Sequence, residues 1–139
     1  MPTAPRASAA DLPVRPGEEP WSTDELGEVR SQLESEAKGL RAEIEEAESQ
    51  IVERLTNSVQ DAGDDEADAG SKVYEREQEL ATIQRARGLL DQNDRALERI
   101  DTGTYGACES CGKAIGKARL MAYPRATLCV ACKQREERR

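Results

Sequence analysis

A mainly α-helical fold is predicted, in which a long antiparallel helical hairpin is followed by a small four-cysteine finger and a short C-terminal helix. Three observations carry this. Apolar residues recur at seven-residue spacing along two separate stretches. The 139-residue composition has no Phe, 3% aromatic and 35% charged residues, too little apolar bulk for a large globular core but suited to charged helices packed along a narrow seam. All four cysteines fall in two Cys-x-x-Cys pairs near the C-terminal end. The expected divisions are an arm at 1–20, a coiled-coil hairpin at 21–102 with its tip at 61–70, and the finger with its helix at 103–139.

The arm holds five of the six prolines among small and charged residues, and reads as a flexible segment with no core of its own. Its end is sharp. Ser22 and Glu25 have the spacing of a capping box, and Trp21 and Leu26 occupy the two positions of a hydrophobic staple. The only Trp is thereby assigned to clamping a helix start rather than to a ligand platform. Leu26, Leu33, Leu40 and Ala47 then form one apolar row, and Ala37, Ile44 and Ile51 the other, continuing to Leu55 and Val59. A helix from about Thr23 to about Gln60 would be roughly 55 Å long at 1.5 Å per residue.

A second helical pattern starts near Ser71. Val73, Leu80, Ile83, Leu90, Leu97 and Ile100 carry its stripe, with Arg87 and Asp94 as polar interruptions, and Gly103 stands where a C-terminal cap belongs. Two helices with one narrow stripe each, joined by a short polar link, should pack antiparallel into a rod. The link carries Asp61, Asp64, Asp65, Glu66 and Asp68 with no basic residue before Lys72. Such a cluster repels itself and stays solvated unless a partner receives it. The plainer reading is a polar loop with Asp68 or Ser71 as N-cap of the second helix.

Cys108/Cys111 and Cys129/Cys132 are separated by 17 residues, the spacing of a four-thiolate zinc site. Each turn directs two sulfurs at one ion, the intervening loop brings the pairs into a tetrahedron, and Gly112 suits the tight knuckle after the first pair. Two disulfides or a redox pair are the weaker alternatives. The N-terminus has neither the charged start nor the apolar core of a signal peptide, and the βαβ context of a redox Cys-x-x-Cys is missing. Four cysteines leave no open coordination position, so one structural Zn²⁺ and no catalytic metal are expected. A reducing, cytoplasmic location follows.

The net charge of −8 argues against general nucleic-acid binding, and no apolar run is long enough to span a bilayer. Charge is uneven: residues 102–139 carry +5, leaving −13 for 1–101. Lys113, Lys117, Arg119 or Lys133 can offset the charge of a zinc tetrathiolate. Direct DNA binding by the finger has little support. Lys113, Lys117, Arg119 and Arg125 give positive surface, but only Tyr105 and Tyr123 could stack on bases and no recognition helix is visible.

The stretches GTYGACESCGKAIGKARL and YPRATLCVACK, behind a long helical hairpin with an acidic end, resemble the DksA/TraR family of RNA polymerase-binding regulators. The likeness is dense over about 61–133 and one of pattern only in the first helix. It implies a non-enzymatic transcription regulator that binds RNA polymerase and inserts its coiled-coil tip into the secondary channel, modulating initiation complexes. The family's tip motif Asp-x-x-Asp-x-Ala falls on Asp65, Asp68 and Gly70, where glycine replaces alanine. Of three positions that the family uses for the alarmone ppGpp, two fall on Gln92 and Tyr123, which carry no positive charge, and one on Lys133, which does. A weakened ppGpp response is therefore expected. Two alternatives stand beside this reading: a Gre-like transcript-cleavage accessory, whose tip acids (here including Asp64 and Glu66) would hold Mg²⁺, and a non-catalytic coiled-coil interaction module with the finger as its clasp.

Overall fold

The computed structural model describes the backbone of residues 9–60 and 66–138, and their side chains except for 58–60 and 66–69. A 3₁₀ turn at Ala9–Asp11 precedes helices α1 (Thr23–Gln60), α2 (Glu66–Thr102), α3 (Lys117–Ala122) and α4 (Val130–Glu137).

Both long helices end where local chemistry dictates. The Glu25 N–H donates to Ser22 Oγ at 3.1 Å while the Ser22 N–H donates to the Glu25 carboxylate at 3.0 Å, a complete capping box. At the end of α2, Gly103 takes φ 79°, the Thr104 N–H reaches the Arg99 carbonyl at 2.9 Å and the Gly103 N–H reaches that of Ile100 at 3.4 Å. This is the paired closure of a Schellman motif, which needs a residue tolerant of positive φ. The start of α2 departs from expectation. It lies at Glu66, so Asp68 and Gly70 are helical, and neither Asp68 nor Ser71 is an N-cap.

The described residues form two compact units, one of 9–36 with 92–138 and one within 37–91. In each, α1 and α2 run antiparallel: Arg30 pairs with Asp101 in the first, and Glu48 with Arg87 and Arg54 with Glu79 in the second. Each pair has one exposed member and one half-buried one, so they contribute little stability and mainly report register. The α1 rows hold as expected, with Leu33 and Ala37 buried and Leu26, Leu40, Ile44, Ala47 and Ile51 half-buried, while Leu55 is exposed; the Val59 side chain lies outside the described residues.

The α2 stripe needs correction. Val73 and Leu80 are exposed, whereas Ala86, Asn93 and Ala96 are buried. Counting heptads through Ile83, Leu90 and Leu97 puts Ala86, Asn93 and Ile100 on the second row and leaves Val73 and Leu80 one step off it. Glu79, on that row, is half-buried against Arg54.

The main core lies in the first unit. Leu12, Trp21, Val29, Leu33, Ile100, Tyr105, Ile115 and Leu120 pack in one cluster that includes Cys108 and Cys132. The expected flexible arm is therefore not what residues 9–20 form. Leu12 is 3% exposed, and Glu18 accepts hydrogen bonds from the backbone of Lys117 and Ala118. The physical reason is that the finger is too small to close a core alone, and the arm supplies apolar cover. Residues 1–8 lie outside the described residues. The expected divisions at 20/21 and 102/103 also do not follow the packing, since the base of the hairpin shares the finger's core.

Candidate metal centre

The first knuckle is shaped by its own backbone. The Cys108 N–H donates to the Lys113 carbonyl at 2.8 Å, and the Gly112 N–H returns to the Cys108 carbonyl at 3.0 Å. Closing so tight a turn puts Gly112 at φ 78°, where a side chain would be strained. An antiparallel bridge between Ala107 and Ala114 closes the base of the loop. The second knuckle is the start of a helix: Cys129 is the N-cap of α4, Cys132 lies in its first turn, and the Lys133 N–H donates to the Cys129 carbonyl at 2.9 Å. A bond of 2.9 Å from the Glu109 N–H to the Thr127 carbonyl ties one knuckle to the other.

These elements bring all four sulfurs within 4.8 Å of one another, with Cys111 Sγ and Cys129 Sγ 3.8 Å apart. A tetrahedron with Zn–S bonds of about 2.3 Å has edges of about 3.8 Å, so the quartet fits one zinc ion. Without a metal among them the four sulfurs do not ionise alike. Burial pushes the Cys108 thiol up, but the N–H groups of Cys111, Cys129 and Ser110 outweigh it and bring it down to about 6. Cys132 goes the other way: a hydrogen bond with Ser110 lowers it, yet the neighbouring sulfurs and burial push it up to about 11. Several thiolates so close together oppose one another, and a divalent cation among them removes that conflict. Cys108 and Cys132 are buried, Cys129 half-buried and Cys111 exposed. The set offers no open position for a substrate.

The other expected residues are dispersed. Asp65 lies outside the described residues, the Asp68 backbone is in α2, and Gly70 is exposed on α2 with nothing within 4 Å of where a Cβ would stand. Tyr105 is buried and donates its hydroxyl to the Pro124 carbonyl at 2.9 Å, so it cannot stack on a base; burial raises its pKa. Tyr123 is 65% exposed, with the Arg119 guanidinium 5.9 Å from its ring centre. Lys117 and Arg119 are not simply counterions of the sulfurs. Lys117 Nζ lies 2.6 Å from the Glu25 carboxylate, and Arg119 Nε donates to the Leu128 carbonyl at 3.3 Å. Sequence reading missed α3, Asn93 and the attachment of Glu18, whose partners are distant in the chain.

Residues 103–138 match the family model described as the prokaryotic dksA/traR C4-type zinc finger. The chain is 37% identical over 127 residues to the RNA polymerase-binding transcription factor DksA of Caulobacter vibrioides, covering 90% of this chain and 86% of that protein. It is 32% identical over 119 residues to the Escherichia coli K12 protein of the same name, covering 86% and 76% respectively. The solved structure of transcription factor DksA2 from Pseudomonas aeruginosa superposes with a TM-score of 0.67 at 34% identity, covering 84% of this chain and 85% of that one. With a zinc-fitting cysteine quartet, a helical hairpin and relatives aligned over most of both lengths, the chain belongs to the DksA/TraR family.

Proposed function

We propose that this protein binds RNA polymerase and regulates transcription initiation without catalysing a reaction. The observation that carries this reading is the breadth of the likeness: an aligned span of 127 residues cannot be confined to the finger and must include most of both long helices. Cys108, Cys111, Cys129 and Cys132 hold one structural Zn²⁺ in this reading. The ion supplies a fixed cross-link between the two knuckles, while the chain's own residues make the docking surface.

The finer mechanism is delivery of the hairpin's tip into the secondary channel, with Asp65 and Asp68 close to the polymerase active site. The helical backbone at Asp68 and Gly70 supports a firm presentation of that end. Tyr123 is exposed and neutral, as is Gln92, so the ppGpp response is weakened, with the exposed Lys133 as the remaining cation of the three. The reading also carries cytoplasmic residence and no sequence-specific contact with DNA. Pull-down with core RNA polymerase, repeated with Asp65→Asn and Asp68→Asn combined, tests it. Retained binding with lost effect on promoter complexes is expected, and failure of the unsubstituted chain to bind polymerase would refute the reading. Shortened RNA from backtracked complexes would instead favour a cleavage accessory.

A further inference from the structure

Lys117 stands at the junction of three segments that are far apart in sequence. Its backbone N–H, with that of Ala118, donates to the Glu18 carboxylate at 3.0 and 3.2 Å. Its ammonium lies 2.6 Å from the Glu25 carboxylate, 3.4 Å from the Pro20 carbonyl and 5.9 Å from the centre of the Trp21 ring. The same Glu25 carboxylate closes the capping box on Ser22. The residue thus holds the arm, the first turn of α1 and the only Trp at once, and its side chain is only 14% exposed.

Lys117 is positioned by both cysteine knuckles. It opens α3, which follows the first knuckle through the 2.8 Å bond from the Ile115 N–H to the Gly106 carbonyl. Arg119 ties α3 to the Leu128 carbonyl, one residue before Cys129. The arm lies close on this surface. A Cβ at Gly106 would stand 3.5 Å from the Pro13 carbonyl oxygen, and one at Gly116 would stand 3.0 Å from Arg15 Cδ.

We propose that Lys117 is a latch through which metal occupancy of the finger controls the docking of residues 9–22. With both knuckles closed on zinc, α3 presents the two backbone donors and the ammonium together, and Glu18, Glu25 and Trp21 are held. When the ion is withdrawn, the knuckles move independently, the donors separate, and the arm and the α1 cap are released while the long helices persist. This rests on the cysteine quartet holding zinc and is independent of the polymerase reading, so the two can fail separately.

Trp21, 2% exposed and the single Trp, reports the latch directly. The test uses the full-length zinc-loaded protein, with a zinc chelator added while acrylamide quenching of Trp21, zinc release and helical circular dichroism are followed. Quenching is expected to rise several-fold in step with zinc release, with most helical signal retained. Lys117→Met keeps the aliphatic stem and is expected to retain one zinc ion while Trp21 becomes quenchable and hydrogen exchange over 9–22 accelerates. Zinc release with unchanged quenching, or wholesale loss of helix on chelation, overturns the proposal. So does a zinc-loaded Lys117→Met protein that matches the parent in quenching and exchange. If that variant does not fold, Glu18→Gln combined with Glu25→Gln is read by the same criteria, and an undisturbed arm there overturns the proposal equally.

Discussion

Asn93 on α2 donates its side-chain amide to the backbone carbonyl of Leu33 on α1 at 3.0 Å, from a fully buried position. The same amide nitrogen reaches the Glu36 carboxylate at 3.3 Å. Both partners are acceptors, so the NH₂ must face α1 and the Asn93 Oδ1 is left without a protein partner. Replacing Asn93 with Leu removes that orphaned oxygen but also the donor to Leu33 and Glu36, so the two effects offset and stability should change by less than about 1 kcal/mol. Asn93→Asp sets a buried carboxylate against a carbonyl and Glu36, and should lower stability by about 3 kcal/mol. Urea midpoints of the two variants check this, and equal midpoints would contradict the account.

Gly70 lies inside α2 with open space around its Cα. Gly70→Ala should stabilise that turn by about 1 kcal/mol, because glycine loses more backbone entropy in a helix than alanine does. Amide exchange in the flanking turns should slow about fivefold, the equivalent of that energy. If the proposed tip assignment of Asp65, Asp68 and Gly70 holds, the variant should also regulate more strongly in promoter assays, and an unchanged effect there would count against that assignment.

Replacing Cys108 with Ser should reduce bound zinc well below one ion per chain, measured by colorimetric titration after denaturation. Hydroxyl is a poor zinc ligand, and the buried Cys108 also belongs to the core cluster. The core around Tyr105, Ile115 and Leu120 should loosen, because binding energy of the metal is folding energy for so small a unit.

Acid should release the arm. The Glu18 carboxyl is held below its usual range, chiefly by the Lys117 N–H, then by those of Arg15 and Ala118. A lowered folded-state pKa means that the stabilisation is fully present above the ordinary value of 4.5 and is lost as pH falls through the lower folded value. Protection of the 9–20 amides against hydrogen exchange, taken relative to the intrinsic rate at each pH, should therefore fall below about pH 4.5 in the parent protein. In Glu18→Gln this acid dependence should flatten. An unchanged acid profile in that variant would remove Glu18 from the account.

The division between what was legible and what was not follows contact range. The Ser22–Glu25 box, the Gly103 closure and both cysteine turns are built from residues within a few positions of each other, so spacing alone specified them. The α1 rows were legible for a related reason, since a long periodic stripe has one buried face. The α2 stripe was half legible: Ile83 and Ile100 were found, but the true second row passes through Ala86 and a buried Asn93, which hydropathy does not mark as seam.

By itself, then, the sequence determined the start of α1, the close of α2, the four zinc-fitting cysteines and the family to which they belong, all of which are encoded in short-range patterns, whereas the start of α2 at Glu66 was not legible. Only the tertiary structure decided that residues 9–22 are part of the finger's core and that Asn93 faces Leu33. Glu18 meets Lys117 across 99 residues and Asn93 meets Leu33 across 60, and contacts so distant leave no periodic trace along the chain. They form because a core this small must recruit every apolar segment that can reach it.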